Sequence, residues 1–114
     1  MRVSLSKLAF ARSGDKGSSS NVGVVAFDER CYEVLVRQLT TDVMKRHFAA
    51  VCNGPVERYE LPNLRALNFI LHQSLEDGAA TSLRTDAQGK IHGLASLLIE
   101  IDVPDGFPLP TPRT

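Results

Sequence analysis

Asn21 to Phe27, NVGVVAF, limits the fold more than any other segment of the chain. It is too short for a buried helix and rich in β-branched valine, so it reads as a strand inside a sheet. Such a strand needs hydrogen-bonding neighbours, which puts a sheet at the centre of the molecule. Its first neighbour is expected just upstream, where Leu5, Leu8 and Phe10 mark a strand. The two form a hairpin whose connection is the polar stretch RSGDKGSSS. Gly23, inside the valine run, points to a bulge or a close neighbour.

Downstream the period changes. Tyr32, Leu35, Val36 and Leu39 recur at helical spacing. A second helical piece begins at Thr40 or Thr41 as N-cap, with Asp42 in its first turn and Lys45, Arg46 and His47 toward its end. Asn53-Gly54-Pro55 stops it, so one bent helix or a helix pair spans about 30 to 51. VERYEL, residues 56 to 61, alternates apolar and charged residues as a strand with one wet face, on which Arg58 and Glu60 lie. Asn63 is then expected to cap a helix with Leu64, Leu67, Ile70 or Leu71, and Leu75 on one face, closed by Asp77-Gly78. Asn68 and His72, four apart, sit beside that apolar stripe. Residues 81 to 85 make a short strand, residues 86 to 89 a turn, and residues 95 to 103 a last strand. The tail from 104 to 114 holds four prolines, three of them in DGFPLPTPRT, and is expected to be extended and exposed. The sum is an α+β two-layer sandwich, ferredoxin-like, with a mostly antiparallel sheet and helices on one face. Leu8, Val24, Val25, Leu35, Leu39, Phe48, Leu67 and Leu71 are the expected core.

At 114 residues the chain is one domain. Its 13 basic and 13 acidic residues cancel and it has no Trp, which argues against a nucleic-acid partner. No segment approaches the roughly 20 apolar residues of a membrane span, and the N-terminus lacks the apolar core of a signal peptide, so a cytoplasmic protein is expected. Cys31 and Cys52 read as buried thiols rather than a disulfide. His47, His72 and His92 are scattered, with no metal-ligand spacing, so no metal is expected.

The fragments ARSGDKGSSSNVGVVA, RQLTTDVMKRHF, VERYELPNLRALNFILHQSL and SLRTDAQGKIHGLASLL follow one another over nearly the whole length. Together they resemble the ferredoxin-like domain at the C-terminus of the AtuA-like (acyclic terpene utilisation) proteins, a domain that also occurs as a separate short chain. The resemblance implies an accessory domain or small subunit that works with a larger AtuA-like protein in branched and terpenoid acyl-CoA catabolism. A CoA-linked acid is then a possible ligand, and a homo- or hetero-oligomer the expected state. It implies no cofactor. The chain departs from the family where Ser18, Ser19 and Ser20 replace an acidic residue after the second glycine of RSGDKG. It departs again where Asp77, Gly78, Ala79 and Ala80 replace a glycine-rich run.

RSGDKG itself has two readings. Arg12 and Lys16 can pair with a carboxylate or phosphate, and glycine-freed N–H groups and the serine hydroxyls of the stretch add donors. Alternatively Asp15 caps a solvated turn and Asn21 satisfies backbone groups. The density of donors favours an anion- or partner-binding site made of Arg12, Ser13, Asp15, Lys16 and Asn21, with Arg84 added from a nearby strand end. Two other functions compete with the accessory role. One is a self-sufficient hydratase or thioesterase using Asp15 and Lys16, and the other a homo-oligomeric structural module.

Overall fold

The computed structural model describes residues 1–16, 19–49, 54–72 and 95–110, with the backbone alone at 15 and 16. In chain order these form β1 (Arg2–Ser4), a 3-10 turn (Leu5–Lys7), β2 (Ala9–Lys16), β3 (Ser19–Ala26), α1 (Glu29–Gln38) and α2 (Thr41–His47). After these come β4 (Val56–Leu61), a second 3-10 turn (Pro62–Leu64), β5 (Ala66–Leu71) and β6 (Glu100–Asp102).

The valine run becomes β3, an inner strand of a four-stranded antiparallel sheet of order β2-β3-β5-β4. Its alternation is strict. Val22 and Val24 are fully buried, and their neighbours Phe69 and Leu67 on β5 are buried with them. α1 and α2 pack on that face with Cys31, Val34, Leu35, Leu39 and Met44. Among the described residues the sandwich is therefore α+β and ferredoxin-like, with its helices on one side. A two-stranded ladder, β1 against β6, closes the end of the core with Ile101 and is extended by bonds between Met1 and Val103.

Local chemistry sets the helix ends. Asp28 is the N-cap of α1, its carboxylate accepting the Cys31 N–H at 2.8 Å. That bond holds Asp28 below the usual carboxylate range. Thr40 caps α2 through the Val43 N–H at 3.2 Å. Burial pushes the Cys31 thiol up to about 12, which makes it an inert core residue. No described helix is long and apolar enough to cross a membrane.

Four expectations change. The segment after Pro62 is a strand, not a helix. Arg65 takes a left-handed conformation at φ 52° and breaks the turn begun at Pro62, and residues 66–71 then pair with β3 on one side and β4 on the other. Leu67 and Leu71 fit a helical period, but Leu67, Phe69 and Leu71 fit an alternating one equally well, and two open strand edges decided between them. The polar stretch is not a long connection either: Arg12 to Lys16 belong to β2, and Lys16 pairs with Ser19. The first strand likewise starts later than expected, because residues 5–7 form a 3-10 turn that buries Leu5 against the core. At the far end only Glu100–Asp102 is strand, and residues 95–98 turn instead.

The expected core residues are buried except Val25, which is half-buried on the opposite sheet face. In the tail, Pro104, Asp105, Pro108 and Leu109 are exposed, whereas Phe107 packs against the core. Cys52, His92 and the strand expected at 81–85 lie outside the described residues.

Candidate functional site

Strand alternation gives the sheet a second face, and among the described residues nothing packs over it. Register places three rows across it. Phe10, Val25, Ala66 and Leu61 make an apolar row. Arg12, Gly23, Asn68 and Tyr59 make the next, followed by Gly14, Asn21, Ile70 and Glu57. Phe10, Tyr59 and Leu61 are 42%, 50% and 41% exposed on this face. At the apolar end a depression of about 200 Å³ is lined by Phe10, Val25, Ala26, Phe27, Leu64 and Arg65. In the middle row Gly23 has no side chain, and the Asn68 amide oxygen lies 3.8 Å from where a Cβ would stand. Arg12 and Asn68 thus flank a gap in the side-chain layer.

Beyond the third row the polar groups connect. His72 follows β5, and its Nε2 lies 2.6 Å from Glu57 Oε2. The Tyr59 hydroxyl donates to Glu57 Oε1 at 2.6 Å. Ser19 Oγ stands 3.2 Å from His72 Nδ1. The Tyr59 hydroxyl, and then His72, lower the Glu57 pKa, and the same Tyr59–Glu57 bond raises that of Tyr59. The His72 backbone is fixed on both sides: its N–H bonds Pro55 O and its carbonyl accepts the Gly54 N–H. Gly54 is needed there, because a Cβ would sit 2.7 Å from the His72 carbonyl oxygen. Lys45 Nζ donates to the Gly54 carbonyl and ties this corner to α2.

The structure divides the predicted set. Arg12 is exposed and Asn21 half-buried, both on the uncovered face. Ser13 pairs with the buried Val22 and falls on the helix side, so the donors do not share one arc. Asp15 and Lys16 occupy register positions opposite Ser20 and Ser19. Arg84 lies outside the described residues. Arg58 does pair with Glu60 at 3.0 Å, but it is not a freely solvated cation. It donates to the carbonyls of Val36 and Leu39, both at 3.0 Å, and so ties β4 to the end of α1.

Glu57 and Tyr59 were not singled out by the sequence, and Ser19 only as one of three serines that depart from the family pattern and add hydroxyl donors. Ser19 comes from β3 and the other two from β4, and they meet around His72 only through the register. The alternation of VERYEL was the available signal, since it sets Glu57 and Tyr59 together on one face. His72 and Asn68 were placed on one face of an expected helix. As strand residues they still share a face, since four positions is an even step. Among the described residues no group of three or more His, Cys, Asp or Glu is arranged to hold a metal ion.

Neither a curated protein nor a solved structure matches the chain. The family model for the AtuA ferredoxin-like domain matches residues 3–104, which takes in both sheets and both helices. The motifs on which the resemblance was drawn fall on β2, β3, α2, β4 and β5, with the last fragment mostly outside the described residues, and the match spans nearly the full length. The chain belongs to the AtuA ferredoxin-like domain family.

Proposed function

We propose that this domain is an accessory subunit that docks, through the face of its sheet that carries no described helix, on a larger AtuA-like protein engaged in branched and terpenoid acyl-CoA catabolism. The observation that supports the reading is the exposure of Phe10 on β2 and of Tyr59 and Leu61 on β4, at the two edges of one face of a sheet whose other face carries both helices. Aromatic and aliphatic side chains of this kind serve as anchors when a partner excludes water from them. Arg12 and Asn21 add a cation and an amide for a carboxylate of the partner or of a CoA-linked acid.

Sedimentation velocity of the purified domain mixed with the larger AtuA-like protein of the same cell tests this. A complex is expected. Phe10→Asp should weaken it by roughly 30-fold or more, the size of an interface hot spot. Arg12→Ala should weaken it chiefly at low salt, where exposed charges act over longer distances. Both variants should melt with the wild type, since neither side chain is in the core. Separate sedimentation of the two proteins, or wild-type binding by both variants, would overturn the reading. A domain that pairs only with its own copies would support the homo-oligomeric module instead.

A further inference from the structure

Docking through this face does not account for the hydrogen bonds at its corner. There Ser19, His72 and Glu57 stand in series, contributed by β3, the end of β5 and β4. Two contacts order the protons along the series. Glu57 accepts from the Tyr59 hydroxyl on one oxygen and faces His72 Nε2 with the other. An ionised carboxylate only accepts, so Nε2 carries the imidazole proton. In the neutral imidazole Nδ1 is then the acceptor, and the Ser19 hydroxyl 3.2 Å away is a donor that fits it, whereas in the imidazolium both nitrogens donate. A serine hydroxyl aimed at an unprotonated imidazole nitrogen, with a carboxylate behind the ring, is the constellation of nucleophilic serine catalysis. The partners are exchanged between the two ring nitrogens relative to the chymotrypsin arrangement, which the imidazole permits because either nitrogen can accept.

We propose that Ser19 is an activated nucleophile that accepts the acyl group of an ester, with His72 as general base and Glu57 as positioning residue. The geometry is held from outside the series. Gly54 and Pro55 clamp the His72 backbone, and Tyr59 fixes the carboxylate. His72 and Glu57 are 35% and 43% exposed, so a substrate reaches the corner from solvent. In the first step Ser19 Oγ bonds to the carbonyl carbon as its proton passes to Nδ1. The adduct then expels the alcohol, which takes that proton from His72, and leaves an ester on Ser19. Water repeats the sequence on the acyl-serine and releases the acid, with no change of oxidation state.

The test uses a fluorophosphonate probe on the intact chain, read by peptide mass. The phosphonyl group should add to Ser19 with loss of fluoride, and Ser19→Ala should abolish the adduct. His72→Ala should slow labelling by about 100-fold or more, the usual contribution of a general base. Glu57→Gln keeps the size of the side chain and should slow labelling by about 10-fold at an unchanged melting temperature, a split that a merely structural carboxylate would not give. Hydrolysis of p-nitrophenyl acetate should fall in the same order. No adduct, an adduct elsewhere, or labelling of Ser19 at the wild-type rate in His72→Ala would overturn the proposal. None of these outcomes bears on docking.

Discussion

Truncating Phe69 to alanine is expected to remove about 3–5 kcal/mol of stability, more than any surface change considered above. Phe69 is fully buried on β5, between Val22 of β3 and Arg58 of β4, and faces the layer of α1 and α2. Removing the ring forfeits its transfer free energy and opens a cavity where two sheet strands and the helix layer meet. A chain of this size has only about 5–15 kcal/mol in total, so the variant would populate unfolded forms readily. Urea unfolding with an unchanged slope and a lower midpoint is the expected record. A loss below about 1 kcal/mol would mean that residues 66–71 are not an inner strand.

Arg58→Ala carries the second large effect, about 1–3 kcal/mol. The guanidinium bonds the carbonyls of Val36 and Leu39, groups that the end of α1 leaves without helical partners. Its removal strands both oxygens against the sheet and unpins α1 from β4. Arg58→Lys should restore little, because a single ammonium does not reproduce the planar fork that reaches two carbonyls. The same unfolding measurement checks both variants. Full recovery by lysine would show that only the charge matters.

These two residues also mark where the sequence was readable. The valine run, the helical spacing from Tyr32 to Leu39, the Thr40 cap and the alternation of VERYEL each carry a local physical signal, and each became the expected element. Residues 64 to 71 do not carry one. Their leucines satisfy both periods, and the pairing edges of β3 and β4, set by distant sequence, made the strand. Arg58 looked like a wet-face cation because nothing local says that α1 ends above it.

The candidate site was legible to a similar depth. Arg12 and Asn21 stand out in sequence and lie on the uncovered face, while Ser13 was separated from them by a one-residue step along β2 that no composition argument contains. The series Ser19–His72–Glu57 depends on the register of three strands. Register is a tertiary fact, and a slip of one residue in any one of these strands would send its member of the series to the other face.

The claim that the uncovered face is the binding face is tested most directly by hydroxyl-radical footprinting of the domain, alone and with the larger AtuA-like protein. Phe10, Tyr59, Leu61 and Leu64 are exposed on or beside that face, whereas Met1 and Leu98 are exposed near the two-stranded ladder. The first group should lose most of its oxidation in the complex while Met1 and Leu98 keep theirs. Protection of Met1 and Leu98 with Phe10, Tyr59 and Leu61 still reactive would contradict the account.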